Sequence, residues 1–297
     1  MKIAIFNDTG WSLGDIYAHI APYIGGECFE WSRCYSREFF AGYDRVMTLA
    51  GDGDKCLVEQ YSVPREKILA VAHAEQDVQR LLRFAGNDNI WKLAGFGVVS
   101  DSLANSSLAI GITRVPTVLR QGIDCTFYES PIPERLRRVG YAALLERKNE
   151  YGVEIKRGEL VRRATELAGL EFKPAIPSNN RNDGIPRAEM PAYYRSVDAV
   201  VMSSLQEGGA MPPYEAAAAG RLVIATPVGD FPRLAIEGMG ILAPLNDEAF
   251  VEFTADRLNY YKTYTEFFQR KCRIIQEASY KRDWPNVIGD WIHFCCR

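Results

Sequence analysis

The sequence has little that would place the chain in a membrane or on a nucleic acid. Its 297 residues contain no apolar run near the roughly 20 residues that span a bilayer. The formal net charge is −3, so no overall positive field favours a nucleic acid partner. The first residues, MKIAIFND, turn acidic too early for a signal peptide. We therefore expect a cytoplasmic protein without a transmembrane segment, with peripheral membrane contact left open.

Signatures of the common metal, redox and hydrolytic sites are also missing. The seven cysteines are scattered without a CxxC pair, which indicates reduced thiols rather than zinc ligands or a disulfide framework. There is no Gly-x-Ser-x-Gly elbow and no Walker A loop, and no G-x-G-x-x-G follows a predicted strand. These absences disfavour serine hydrolases, P-loop NTPases and dinucleotide oxidoreductases. We expect no metal site and no cofactor.

Length and pattern predict an α/β protein of two domains. The chain is 47% hydrophobic and 25% charged, as soluble globular proteins are, and its length most often holds two domains. Strand-like and helix-like segments alternate, which predicts parallel sheets. The first-domain strands are predicted at Lys2–Phe6, Asp44–Leu49, Lys67–Ala72 and Val115–Leu119, and its helices at Asp15–Ile24, Gln76–Phe84 and Asn105–Ala109. The second-domain strands are predicted at Arg138–Leu144, Asp198–Met202 and Leu222–Thr226, and its helices at Gly158–Leu167 and Ala188–Tyr194.

The most informative segment runs from Glu207 to Gly229 and reads EGGAMPPYEAAAAGRLVIATPVG. Its two prolines fit only the first turn of a helix, and Gly220 suits the helix end. Backbone N–H groups then cluster where the helix begins, which attracts an anion. The residues that carry these N–H groups are Gly208, Gly209, Ala210 and Met211. A carboxylate beside such a helix end suits a ligand with hydroxyls and phosphates, such as a nucleotide sugar.

These residues resemble the glutamate-x7-glutamate motif of retaining glycosyltransferases of the GT-B fold, in particular family 4. That family typically reads EGFGLPxxEAMAxGxPVVATxxG, and this chain keeps the register with Gly209 for the aromatic and Ala210 for the second glycine. The segment RQGIDCTFYESPIP resembles the family's interdomain signature NGVDxxxFxP, with Gln121 at the asparagine position. The alternative is an ordinary βαβ crossover that happens to carry two glutamates.

The resemblance implies a GT-B architecture, in which two Rossmann-like domains with parallel sheets face each other across a cleft. We expect a short acceptor-side domain at residues 1–121, a linker at 122–134, and a nucleotide-sugar-binding domain at 135–282. The remaining residues, 283–297, are expected to form a helix. That helix either crosses back to the first domain, as in the family, or packs on its own domain.

The resemblance also implies roles for individual residues. Glu207 and His73 would form the catalytic centre, with Glu207 on the hydroxyls of the transferred sugar and His73 reaching the sugar from the first domain. Leu144 stands where the family usually has a donor-phosphate arginine, so a nearby lysine would supply the cation. The predicted donor-binding residues are Gly14, Lys148, Lys156, Gly208, Gly209, Ala210, Met211 and Glu215. Glu215 would accept both ribose hydroxyls, because a carboxylate accepts bidentate contacts.

Several of these assignments have a structural alternative, which for Lys148 and Lys156 is a solvated helix face. A lone histidine at a strand end is more often a packing residue, a glutamate before a helix often only complements its dipole, and Gly14 is compatible with a plain loop glycine.

Three functions follow from these residues. The first is a retaining glycosyltransferase that uses a nucleoside diphosphate sugar, with a uridine or guanosine nucleotide expected, by a metal-independent front-face mechanism. Its acceptor could be a glycan, a lipid-linked sugar or a small molecule. The second is a non-catalytic nucleotide-binding relative of the same fold. The third, a GT-B epimerase or phosphorylase, is weakened because no pyridoxal phosphate lysine motif is present.

Overall fold

The computed structural model describes residues 1–7, 12–31, 33, 35–149, 151–177 and 180–296. The chain packs into two compact units, one made of Met1–Gly122 with Trp284–Arg297 and the other of Ile123–Asp283. Each unit is built on a parallel β-sheet with helices between the strands, as the alternating pattern predicts. Among the helices described, none is both long and apolar enough to cross a bilayer.

The first unit contains a six-stranded sheet in the order β2-β1-β3-β4-β5-β6, in which all neighbouring strands run parallel. Its strands are β1 (Ile3–Asn7), β2 (Gly26–Glu30), β3 (Arg45–Leu49), β4 (Ile68–Ala72), β5 (Gly95–Val98) and β6 (Thr117–Val118). Its helices are α1 (Ser12–Ile24), α2 (Arg37–Ala41), α3 (Asp52–Glu59), α4 (Glu75–Ile90), α5 (Asp101–Ile110) and, from the end of the chain, α13 (Trp284–Cys295). A 3-10 turn lies at Arg65–Lys67.

Helix α13 completes the core of the first unit. The Trp291 side chain is fully buried, and its indole Nε1 donates a hydrogen bond to the Arg120 carbonyl at 2.9 Å. The Phe294 ring lies against β5 at Gly95, where an added Cβ would come within 2.7 Å of it. Glycine at this position therefore lets the aromatic ring of α13 lie directly on the strand.

The second unit contains a five-stranded parallel sheet in the order β11-β10-β9-β7-β8. Its strands are β7 (Arg138–Tyr141), β8 (Glu171–Pro174), β9 (Ala199–Met202), β10 (Leu222–Ala225) and β11 (Ile241–Leu242). Its helices are α6 (Cys125–Tyr128), α7 (Gly158–Leu167), α8 (Met190–Arg195), α9 (Met211–Ala218), α10 (Phe231–Glu237), α11 (Asp247–Thr263) and α12 (Thr265–Ser279). Short 3-10 turns lie at Arg181–Asp183, Arg187–Glu189 and Tyr280–Arg282.

Two predicted boundaries are wrong in ways that matter for the site. The strand predicted at Arg138–Leu144 ends at Tyr141, because the chain turns there and the Tyr141 hydroxyl donates to the carbonyls of Leu144 and Lys156 at 3.2 and 2.9 Å. Helix α1 begins at Ser12 rather than Asp15. Gly14 therefore lies inside the helix and not in the turn that precedes it, and most of that turn, residues 8–11, lies outside the described residues.

The connections of the second sheet create a switch point between β7 and β9. From β7 the chain moves to β8 on one side, then returns to β9 on the other side and continues to β10 and β11. The loops that follow β7 and β9 therefore diverge at the carboxyl edge of the sheet. In open α/β sheets ligands bind at this position.

Candidate active site

Glu207 and Lys156 meet at the switch point. Glu207 lies in the loop between β9 and α9, and Lys156 lies where the loop after β7 enters α7. The Lys156 ammonium donates to the Glu207 carboxylate at Oε1, and the Ser204 hydroxyl donates to the same oxygen at 2.7 Å. Both side chains of the ion pair are largely buried, with 13% and 15% exposed. The structure thus places a held carboxylate next to a cation where a ligand would bind.

The backbone around Lys156 is fixed by its neighbours. The Glu154 carboxylate accepts hydrogen bonds from the N–H groups of Lys156 and Arg157 at 2.8 and 3.1 Å. The buried Arg157 guanidinium donates to the Ser203 carbonyl at 2.7 Å and to the Asp247 carboxylate at 2.6 Å. These bonds tie the end of the β7 loop to the start of the β9 loop. The position of Lys156 relative to Glu207 is therefore set by a network rather than by one flexible side chain.

Of the two predicted lysines, Lys156 is the one that contacts Glu207. Lys148 is exposed and lies in the preceding loop, where it pairs with Glu154 in an isolated antiparallel bridge. Leu144, at the position of the family's usual arginine, contributes its backbone carbonyl to Tyr141.

The backbone of Gly229 packs directly against the loop that carries Glu207. It follows β10, the neighbour of β9, and has a positive φ of 60°. A Cβ built on Gly229 would lie 2.9 Å from the Gly208 carbonyl oxygen and 3.1 Å from the Glu207 Cβ. Only glycine combines this backbone conformation with so close an approach. Gly229 and Ser204 are site residues to which the sequence alone assigns no role, although Gly229 stands at the end of the motif segment that begins at Glu207.

The start of α9 lies where the two prolines predict it. The helix runs from Met211 to Ala218, with Pro212 and Pro213 near its beginning, and Gly220 follows its end with a positive φ of 71°. Gly208, Gly209 and Ala210 form the loop between Glu207 and the helix. Ala210 and Glu207 line a small pocket beside this helix start.

Glu215 is buried and already accepts three hydrogen bonds. Its Oε1 accepts from the Tyr128 hydroxyl at 3.0 Å and from the Arg187 guanidinium at 2.8 Å, and its Oε2 accepts from the Tyr194 hydroxyl at 2.6 Å. Burial, together with the Glu215 charge, raises the pKa of Tyr194 well above its usual range, so this phenol stays protonated and donates. The sequence predicts ribose contacts for Glu215 but gives no sign of these partners.

His73 lies directly after β4 in the first unit, as predicted, and its ring is buried. The Tyr17 hydroxyl lies 2.9 Å from its Nε2, and Asp77 accepts the backbone N–H of His73 at 2.9 Å. Burial lowers the pKa of His73 to about 3, so the imidazole is neutral at neutral pH. These contacts fit a packing role, and the predicted sugar contact stays a prediction.

The buried His73 predicts a loss of stability in acid. The unfolded chain takes up a proton on His73 below about pH 6.5, whereas the folded chain does so only near pH 3, so the free energy of unfolding falls between these values as pH decreases. The slope from one such group is at most about 1.4 kcal/mol per pH unit. Asp77, whose pKa burial raises to about 6, acts in the opposite direction. We therefore measure the free energy of unfolding of wild type and His73→Gln by urea titration at several pH values. The difference between the two proteins should change as pH falls, and parallel pH profiles would contradict the prediction.

Comparisons with known proteins bear on the class of protein and on the fold. A family model described as "Glycosyl transferases group 1" matches residues 162–259, a range that includes both motif glutamates. No curated protein sequence matches the chain. The match and the fold together support the prediction of a glycosyltransferase.

Solved structures show the fold. HepE from Anabaena, in complex with UDP and glucose, superposes with a TM-score of 0.69 at 14% identity, covering 99% of this chain and 98% of that one. Sucrose-phosphate synthase from Thermosynechococcus elongatus gives 0.70 at 14% identity, covering 98% and 97%. TarM from S. aureus, in a complex that includes UDP, gives 0.65 at 13% identity, and the match spans 88% of this chain but only 58% of TarM. The predicted GT-B fold is confirmed.

Proposed function

We propose that the chain is a retaining glycosyltransferase that moves a sugar from a nucleoside diphosphate sugar to an acceptor hydroxyl without a metal ion. The observation that carries the proposal is the Glu207–Lys156 pair at the switch point between β7 and β9. HepE and TarM, whose structures contain UDP, make a uridine nucleotide the first donor to test, with guanosine second.

Lys156 is suited to the leaving group. When the anomeric C–O bond breaks, the diphosphate takes the electron pair and gains negative charge, which a preorganised cation stabilises. An ammonium has three N–H donors, so Lys156 can keep its bond to Glu207 while it donates to a phosphate oxygen. The backbone N–H groups of residues 208–211, at the start of α9, are suited to stabilising the same negative charge on the diphosphate.

Glu207 is suited to hydroxyl binding rather than nucleophilic attack. Its Oε1 already accepts from Lys156 and Ser204, which lowers its nucleophilicity. Its carboxylate still has acceptor capacity for sugar hydroxyls. Retention then follows the front-face route, in which the acceptor oxygen bonds to the anomeric carbon and its proton passes to an oxygen of the departing phosphate.

We propose a cytoplasmic protein. The six cysteines in the described part of the chain are unpaired, which suits the reducing cytoplasm. The proposed acceptor is a glycan, a lipid-linked sugar or a small molecule. In the resembling family the first domain selects the acceptor. We propose no cofactor beyond the donor, no nucleic acid partner, and at most a peripheral contact with a membrane.

The test is release of nucleoside diphosphate from a panel of UDP, GDP and ADP sugars, measured in EDTA and again with magnesium. We expect slow hydrolysis of one donor that magnesium does not accelerate, since many transferases hydrolyse their donor without an acceptor. An absolute requirement for magnesium would contradict the metal-free scheme.

The alternative of a non-catalytic nucleotide-binding relative is favoured by two observations. Leu144 replaces the usual donor-phosphate arginine, and the acceptor sites of Glu215 are largely occupied. A protein that binds a nucleotide sugar by calorimetry but neither transfers nor hydrolyses it would establish this alternative.

Gly229→Ala offers a test of how tightly Glu207 must be placed. The new methyl group would meet the Gly208 carbonyl at 2.9 Å and push the Glu207 loop outward. We expect turnover to fall by about 10-fold, or ~1.4 kcal/mol of transition-state stabilisation. Gly238→Ala is the matched control, since Gly238 also has a positive φ, of 101°, but its Cβ would meet Ala278 at an ordinary 3.4 Å. Equal turnover in the two variants would remove Gly229 from the site.

A further inference from the structure

The Glu215 carboxylate has too few unused acceptor positions for both ribose hydroxyls. A carboxylate offers about four lone-pair sites, two on each oxygen. Tyr128 and Arg187 occupy both sites of Oε1, and Tyr194 occupies one site of Oε2. Among the described residues none occupies the fourth site, which lies on Oε2. A ribose that donates two hydrogen bonds to Glu215 must displace one of the three present donors.

Arg187 is the donor that can leave. The Tyr128 and Tyr194 side chains are fully buried and stack edge to face at 5.8 Å. The Arg187 side chain is 33% exposed and comes from a single 3-10 turn, Arg187–Glu189, ahead of α8. An arginine that is one-third exposed on a short turn can move into solvent, whereas each tyrosine would have to open the core of the second unit.

We propose that Arg187 holds the ribose position on Glu215 in the free protein and that the nucleotide displaces it in exchange for a ribose hydroxyl. The inference rests on the proposed function, since it requires a nucleotide to bind beside α9. It makes Arg187 a specificity-determining residue, because it sets how much a second ribose hydroxyl contributes to binding. The first hydroxyl uses the free site on Oε2 at no cost, and the second gains only the difference between its own bond and that of Arg187.

The measurement is the ratio of affinities for UDP and 2′-deoxy-UDP, obtained by calorimetry on wild type and Arg187→Ala, with GDP and 2′-deoxy-GDP run in parallel. The two ligands of a pair carry the same charge, so the loss of a cation near the phosphates cancels in the ratio. We expect the ratio to rise by about 10-fold in Arg187→Ala, the scale of one hydrogen bond to a charged group. Arg195→Ala, an exposed arginine next to Tyr194, is the matched control and should leave the ratio unchanged.

The outcomes separate the inference from the proposed function. If nucleotides bind and the ratio of ribonucleotide affinity to 2′-deoxyribonucleotide affinity is the same in wild type and Arg187→Ala, the inference is wrong and the proposed function stays intact. If neither protein binds any of the four nucleotides while both unfold at temperatures close to that of Arg195→Ala, the proposed function fails and the inference fails with it. Binding that appears only in Arg187→Ala would support the displacement directly.

Discussion

Replacing Glu207 with glutamine is expected to lower turnover at least ~10-fold, or ~1.4 kcal/mol, while the affinity for nucleoside diphosphate stays nearly constant. Glutamine keeps the shape and one acceptor oxygen but removes the charge that pairs with Lys156. In the proposed mechanism the lost interaction is one with the sugar near the reacting carbon, where charge changes most. Only interactions that strengthen in the transition state raise the rate of the chemical step.

The measurement is nucleotide release from a matched donor, with calorimetry on the same preparation. Glu248→Gln is a suitable control, since this exposed carboxylate pairs with Arg163 in the same unit and should leave turnover unchanged. Ser204→Ala removes a neutral donor from the same Glu207 oxygen and should have a smaller effect than Glu207→Gln. Turnover and nucleotide affinity falling together in Glu207→Gln would mean that Glu207 is a binding or structural residue.

Trp291→Ala is expected to reduce the free energy of unfolding by about 3–5 kcal/mol, the range for large aromatic truncations in a core. The indole is fully buried and donates a hydrogen bond to the Arg120 carbonyl. It also lies edge to face with the Tyr17 ring, with the two ring centroids 6.4 Å apart. Its loss would leave a cavity between α13 and the rest of the first unit. Denaturant titration followed by circular dichroism measures the change.

The neighbouring Ile292→Ala serves as the control, because Ile292 is 38% exposed and its truncation leaves no enclosed cavity. A loss of stability in Trp291→Ala no larger than in Ile292→Ala would mean that α13 contributes little to the first unit.

The sequence predicts the central strands except β5 (GFGV), and of the edge strands it predicts only β6. In β9 and β10 every residue is buried, so a continuous apolar run marks the strand. The edge strands β2 and β8, GECFE and EFKP, carry charges and are partly exposed, and the pattern of a buried parallel strand is absent from them. The sequence pattern predicts helix α7 at its observed bounds, Gly158–Leu167.

The sequence predicts only the part of the candidate site that lies in the segment from Glu207 to Gly229. The spacing of Glu207 and Glu215 and the two prolines indicate a ligand at the start of α9. The choice between Lys148 and Lys156 depends on how the loop after β7 folds back, which local sequence does not determine. The partners of Glu215 are equally hidden, since Tyr128 and Arg187 lie 87 and 28 residues away in the chain.

The split of the first unit between the two ends of the sequence bears on how the protein is made. During synthesis Met1–Gly122 leaves the ribosome first, yet its core lacks Trp291 and Phe294 until all of Ile123–Asp283 has been translated. The second unit is contiguous in sequence, so its whole chain is synthesised before α13. Until α13 is made, the surface of the first unit around Tyr17 and Gly95 is uncovered. The usual order, in which the N-terminal domain folds first, is therefore reversed for the completed core of this protein.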